Sequence, residues 1–201
     1  PHFFLNVLNV IYSLAASVNV MQIRTVTLEL IRHVRYVLSV EKPLVPLAQE
    51  LEFTRNFVEI QRIRIPYEIR MEVEGFSKEV GRIRVPPLVL QTFVENAVKY
   101  AVSEEDMLQI SLEARLTQDW LNLRISDSGS GFPEKLLEEL NTTGRVPADG
   151  RGEHIGIHNV ISRMKLLYGE NYHYHFSNLP ARGACVEFTL CARSDFQKQE
   201  V

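Results

Sequence analysis

The hydrophobic period changes repeatedly along this chain, and that alternation restricts the fold more than any single residue does. Phe4, Leu8, Ile11 and Ala15 recur at steps of three and four, the spacing of one helix face. Leu5, Val7 and Leu14 widen that face, as in a helix that packs on more than one neighbour. After a polar break near Asn19, Ile23, Leu30, Val34 and Val37 predict a second helix to about Leu38. Such a short pair with broad apolar faces cannot bury itself alone, and dimerisation into a four-helix bundle is the natural remedy. Pro43 and Pro46 mark a boundary, and Pro46 fits the first turn of a third helix carrying Leu47, Leu51 and Val58 to about Arg64.

From Tyr67 the period becomes two. Tyr67, Ile69, Met71 and Val73 alternate with Glu68, Arg70, Glu72 and Glu74, a half-buried strand. Gly81 to Val85 predicts a short second strand, and Pro86-Pro87 opens a helix that runs through Lys99. Leu108, Ile110, Leu112, Ala114 and Leu116, then Leu121, Leu123 and Ile125, predict a hairpin with a slightly long loop around Thr117-Gln118-Asp119. Pro133 to Leu140 predicts a short helix, and the Gly-, Thr- and Pro-containing stretch Asn141 to Glu153 a mobile loop. Ile157 to Tyr168 predicts a helix, and Tyr172 to Phe176 with Ala184 to Leu190 a final strand pair. Asp195 to Val201 reads as a frayed end. The fold class expected is α+β.

Charge and cysteine usage narrow the function. A formal charge of −3 with no basic block argues against a nucleic-acid partner. Cys185 and Cys191 are too few for a secreted disulfide framework and read as reduced residues near the core of a cytosolic protein. No run is long and apolar enough to cross a bilayer. The chain begins Pro1-His2-Phe3 inside a predicted helix, so it reads as a piece of a longer protein, with membrane attachment only through an upstream segment.

Two stretches carry the chemistry. In Gln91 to Tyr100, Asn96 and Lys99 stand about one helical turn apart in an otherwise apolar helix. Asn-x-x-Lys is common, but a carboxamide oxygen suits Mg²⁺, which keeps most of its waters and takes few protein ligands, and a lysine suits phosphate. In Asp127-Ser128-Gly129-Ser130-Gly131-Phe132, an Asp ends a strand before a glycine-rich bend. It reads either as an ordinary turn acid or as an acceptor for the adenine amino group, with Gly129 and Gly131 letting backbone approach the ring. Gly150, Gly152 and Gly156 flank the predicted loop and open the helix from Ile157, where backbone N–H groups suit phosphate. His154 and His158 lie one turn apart without an evident third zinc ligand, and His173 and His175 read as surface residues of a strand. On position alone, His2 and Asn6 read as polar residues at a helix end.

Four ordered motifs resemble those of LytS/YesM-type sensor histidine kinases. Pro1-His2-Phe3-Phe4-Leu5-Asn6-Val7-Leu8-Asn9 resembles the phosphoacceptor motif, and Pro86 to Lys99 the N box. Asp127 to Gly131 resembles the G1 box, and Gly152 to Val160 the G2 box with its helix. The linking stretch, Leu47 to Glu52, Glu59-Ile60-Gln61 and Arg64, also fits. The resemblance implies a helical dimerisation hairpin over 1–43 and an ATP-binding Bergerat-type α/β sandwich over 44–201, a mixed sheet with helices on one face. It implies that His2 takes the γ-phosphoryl group of ATP, with Asn6 as an orienting residue. Asn96 would hold Mg²⁺, Lys99 would contact phosphate, Asp127 would read adenine, and Gly152, Gly156 and Asn159 would sit by the phosphates. The stretch from about Pro133 to Glu153 would form a lid. Partners implied are a second copy of the chain and a response regulator, and the setting implied is the cytoplasmic portion of a membrane sensor.

Departures from the pattern stand beside it. The usual Lys-His-Gly reads Lys99-Tyr100-Ala101, the middle G2 glycine is His154, and Thr92 stands where related ATPases carry a catalytic Glu or an Asn. Glu95 points elsewhere on the helix and is not assigned as a base. A degenerate kinase acting as a dimeric nucleotide- and partner-binding module is the alternative reading, and an ATP-hydrolysing relative is disfavoured by Thr92.

Overall fold

The computed structural model describes residues 2–17, 20, 23, 27, 30–31, 43–100, 107–144 and 155–193. Helix α1 spans His2–Ser17. Residues 23, 27, 30 and 31 are also helical, and the Thr27 hydroxyl donates to the Ile23 carbonyl at 2.7 Å. The rest of the predicted second helix lies outside the described residues.

Thereafter the order is β1 Val45–Pro46, α2 Leu47–Arg64, β2 Glu68–Glu74, α3 Lys78–Arg82, β3 Arg84–Val85, α4 Val89–Lys99, β4 Met107–Thr117 and β5 Trp120–Asp127. Helices α5 Glu134–Thr143 and α6 Ile155–Tyr168 follow, then β6 Tyr172–Asn178 and β7 Ala184–Cys191. The five-stranded sheet has the order β2-β4-β5-β7-β6. Strand β2 is parallel to β4, and every other pair is antiparallel. The parallel pair needs a long crossover, and α4 is the longer of the two helices within it.

One face of this sheet carries the helices. Ile110, Leu112, Leu121, Leu123, Phe176 and Phe188 point into a core closed by Leu90, Val94, Ile157 and Met164, all almost wholly buried. Burying each such side chain contributes about 1.5–3 kcal/mol relative to leaving it exposed. The other face is polar. A single row in register across all five strands reads Glu74, Glu113, Arg124, Glu187, His175. His173 and His175 are exposed, as expected, and Cys185 and Cys191 are buried and unbridged.

Five local expectations need correction. Gly81 and Arg82 are helical, because Ser77 caps α3 by accepting from the Val80 N–H at 3.2 Å. The short strand is only Arg84–Val85, and it pairs with Val45–Pro46 rather than joining the main sheet. Pro46 is therefore the extended residue before α2, not part of its first turn. The β4–β5 turn is tight, since Thr117 pairs with Trp120 and Gln118 takes a positive φ of 54°. Helix α5 continues past Leu140 to Thr143, because Asn141 exchanges two hydrogen bonds with the Phe176 backbone, at 2.8 and 2.9 Å. Leu136 and Leu140 bury that helix in the core, so the first part of the expected lid is a packed helix. Residues 145–154 lie outside the described residues.

Candidate nucleotide site

A cavity of about 320 Å³ opens between α4 and the end of β5, the middle strand of the sheet. Phe93, Asn96, Ala97 and Tyr100 form one wall. They stand at helical steps of three and four, so one face of α4 serves the cavity while Val94 and Val98 face the core. Ile125, Asp127, Ala184 and Val186 form the floor, and Ser130 to Pro133 the rim.

Asp127 is held at the strand end by two backbone donors. Its Oδ1 accepts from the Gly129 N–H at 2.7 Å and from the Ala184 N–H at 3.4 Å. Burial pushes its carboxyl above the ordinary carboxylate range, and those two N–H groups pull it partly back. The bend after it is fixed from the far side of the sheet. The Asn178 amide accepts from the Phe132 N–H at 2.7 Å and donates to the Phe132 carbonyl at 2.9 Å. Gly131 has φ of 76°, and a Cβ there would lie 2.7 Å from the Asn178 Oδ1, so this position takes glycine on both grounds. Phe132 meets Phe176 edge-on, with centroids 5.6 Å apart and planes at 82°.

Asn96 lies half-buried on the cavity wall, and its Nδ2 is buried with no hydrogen-bond partner among the described residues. An orphaned polar atom is expensive unless a ligand meets it. A carboxamide offers an oxygen at one end and a donor at the other, so the site fits a hard cation or a phosphate-bound water shell.

The structure thus brings Asn96, Asp127 and Gly131 to one cavity, with Gly129 beside Asp127. Lys99 is exposed at the end of α4, its Nζ 4.8 Å from the Tyr100 ring centre, and is not on the cavity wall. Gly156 stands in the first turn of α6, where a Cβ would lie 3.0 Å from the Thr92 Cγ2 of α4; that close approach suits glycine. Asn159 is exposed on the same helix. Gly152 and His154, and the side chains of His2 and Asn6, lie outside the described residues. Among the described residues no group of three His, Cys, Asp or Glu side chains could hold a metal ion.

Sequence reasoning passed over Phe93 and Phe132, and read Tyr100 only as a departure. The spacing of Phe93, Asn96, Ala97 and Tyr100 was a legible signal for one shared face. Asn178 lies 46 residues from Phe132, and no local pattern announces their pairing.

Fold and cavity together define an α/β sandwich with a mixed sheet and a helix-walled pocket at its central strand. The family described as histidine kinase-, DNA gyrase B- and HSP90-like ATPase matches residues 84–194, and the histidine kinase family matches residues 1–69. The chain belongs to the family of histidine kinase-, DNA gyrase B- and HSP90-like ATPases. It is homologous to LytS- and YesM-type sensor kinases. It is 30% identical over 198 residues to the sensor protein LytS of Oceanobacillus iheyensis, covering 96% of this chain and 33% of that protein. It is 28% identical over 196 residues to the sensor histidine kinase YesM of Bacillus subtilis, covering 97% and 32%. The chain thus spans about a third of the length of the curated relatives it matches. The solved histidine kinase domain of a blue-light activated kinase from Erythrobacter litoralis shares the fold, with TM-score 0.55 and 16% identity over 91% of this chain and 84% of that one. The catalytic domain of histidine kinase ThkA does so with TM-score 0.54 and 15% identity over 74% and 95%. No helix among the described residues is long and apolar enough to cross a membrane.

Proposed function

We propose that this chain is the kinase core of a two-component sensor, which transfers the γ-phosphoryl group of ATP to His2 and then to an aspartate of a response regulator. The observation that carries the reading is the meeting of Asp127 and the orphaned Asn96 amide on one cavity of nucleotide-base size. Family membership supports nucleotide binding there.

In this reading the cavity takes the adenine. Asp127, ionised, accepts from the exocyclic amine, while Phe93, Tyr100 and Phe132 exclude water from the ring faces. Asn96 would hold Mg²⁺ through its carboxamide oxygen. When bound, that ion neutralises phosphate charge. Lys99, exposed at the end of the same helix, reaches the phosphates from outside the base pocket. Gly156 and Asn159, near the start of α6, would face the triphosphate, since backbone N–H groups at a helix start suit anions, and Gly152 is proposed to join them.

The His2 imidazole nitrogen attacks the γ-phosphorus as the bond to the β-bridging oxygen breaks, and ADP departs with that electron pair. A neutral imidazole is nucleophilic near neutral pH, so no separate base is required, and Asn6 one turn on orients the ring. Phosphoryl transfer depends on positioning and charge neutralisation, which is consistent with Thr92 at the position of a base. Residues 1–43 act as the dimerisation and phosphoacceptor unit and 44–201 as the ATP-binding unit, in the cytoplasmic portion of a membrane sensor.

The test is labelling with γ-tagged ATP and Mg²⁺ on the native chain, His2→Ala and Asn96→Ala. Acid-labile, alkali-stable label, lost in both variants, is the expected result. Nucleotide binding without any label in the native chain would favour the degenerate module instead.

A further inference from the structure

A buried carboxylate outside the cavity holds the helix that forms its wall. Glu50, in the first turn of α2, is 0% exposed. Its Oε1 accepts from the Leu88 N–H at 2.8 Å and its Oε2 from the Leu90 N–H at 3.2 Å. These are orphan donors of the first turn of α4, where the helix dipole also favours negative charge. Leu88, the residue that caps α4, has φ of 67°. A branched side chain rarely adopts that left-handed backbone, which persists only where its surroundings fix it.

The same segment is held from the opposite side. Arg163 of α6 donates to the Pro87 carbonyl at 3.1 Å, and the Tyr168 hydroxyl donates to the Arg84 carbonyl at 3.1 Å. Phe93, Asn96, Ala97 and Tyr100 follow from this pinned start, so a shift of the first turn moves all four relative to Asp127 on β5. The buried polar character at α2 and α4 extends beyond Glu50. Thr54 is 0% exposed and Gln91 2% exposed, and their side-chain polar atoms have no hydrogen-bond partner among the described residues. An apolar side chain in place of Glu50 would leave the Leu88 and Leu90 N–H groups buried and unpaired, so the carboxylate fixes where the first turn of α4 sits.

We propose that Glu50 is a positioning residue for the nucleotide site, clamping the first turn of α4 in the register that turns Asn96 into the cavity. This rests on the nucleotide reading above. Glu50→Gln keeps the size but sets an amide donor against one of the two backbone donors. Glu50→Asp keeps the charge on a shorter reach. Glu52→Gln, on the exposed side of α2, is the control.

The experiment measures binding of ATP with and without Mg²⁺ to the native chain and the three variants, beside thermal unfolding. Loss of such supporting partners typically lowers affinity by roughly 10–100-fold. Glu50→Gln should therefore weaken Mg²⁺-ATP binding about tenfold, with a clearly smaller effect on Mg²⁺-free ATP. Glu50→Asp should recover part of that loss, and Glu52→Gln should match the native chain. The proposal is overturned if Glu50→Gln binds Mg²⁺-ATP like the native chain, or loses Mg²⁺-free and Mg²⁺-bound ATP equally. Failure of the native chain to bind ATP at all would sink the nucleotide reading and the proposal with it.

Discussion

Helix α1 and the α/β unit after residue 44 treat their apolar surface in opposite ways. Val10 is 58% exposed and Leu14 61%, and Ile11, Val20, Ile23 and Leu30 are also exposed. Beyond residue 44, only Ile63 and Leu166 join them among the described large hydrophobic residues. The α/β unit closes its core with its own residues, as the complete burial of Ile110, Leu112 and Leu121 shows. The helical part does not, and a short helix in water is marginal without a packing partner. The difference teaches where a partner would act: in the proposed reading a second copy of the chain would cover the exposed face of α1, while the cavity is lined by residues of one copy.

The most severe way to break that contrast is to separate the two parts. Residues 44–201 alone should unfold cooperatively, remain monomeric by light scattering and bind ATP, while incorporating no phosphate. Loss of ATP binding on separation would show that the cavity depends on the helices. Within the sheet, Leu123→Ala should destabilise folding by about 2–5 kcal/mol in chemical denaturation, since a core leucine leaves a cavity that relaxes only partly. Leu14→Asp should leave unfolding of the α/β unit unchanged and instead weaken dimerisation. Two copies of a buried apolar side chain give about 3 kcal/mol or more, roughly a hundredfold in the dimer constant. A Leu14→Asp chain that dimerises like the native one would refute the assignment of this face.

The same contrast explains what was legible from the sequence. Alternation at Tyr67 to Val73, Leu108 to Leu116 and Leu121 to Ile125 announced the strands, because one face of the sheet is buried and the other wet. The β1–β3 pair was hidden, since a two-residue strand such as Val45–Pro46 carries no period. The turn at Gln118-Asp119 was legible, but its tightness was not, because its strands reach it without a glycine. At the site, the strand-end place of Asp127 and the helical place of Asn96 were legible, while the roles expected of them came only from the resemblance. Glu50 was not, because a glutamate in a mixed helix reads as surface until its two backbone partners, 38 and 40 residues away, come into contact. Long-range pairing of this kind leaves no local mark.

Asp127 separates binding from stability. Burial raises its carboxyl, so between the ordinary carboxylate range and that raised value the folded chain holds more proton than the unfolded one. Its contribution to stability is therefore greatest below the ordinary range and is lost as pH rises through the raised value. At neutral pH the ionised form is a burden on folding and an asset for recognising an amine. Asp127→Asn should accordingly bind ATP about 10–100-fold more weakly, the magnitude of a hydrogen bond to a charged group. Its Tm at neutral pH should be unchanged or higher. Native binding should weaken on acidification through the raised value, and the variant's should not. A Tm drop of several degrees in Asp127→Asn would show that the two N–H bonds outweigh the burial of charge.

Asn178 supplies the smallest effect and the finest test of whether the α/β unit preorganises its own pocket. Its amide makes the two hydrogen bonds to Phe132 at the exposed end of β6, where each net bond contributes about 1 kcal/mol or less. Asn178→Ala should therefore shift folding stability by only about 1 kcal/mol, measured by denaturant titration. The bend from Gly129 to Phe132 loses its anchor, however, and Phe132 loses the restraint that keeps it edge-on to Phe176 at the cavity rim. ATP affinity should fall a few-fold, chiefly through faster release, because an unrestrained rim must be ordered again on binding. Asn178→Asp keeps the acceptor for the Phe132 N–H and loses the donor to its carbonyl, so it should fall between the two. A release rate unchanged in Asn178→Ala would mean that the rim holds its shape without the clamp, and that the pocket depends on α4 and Asp127 alone.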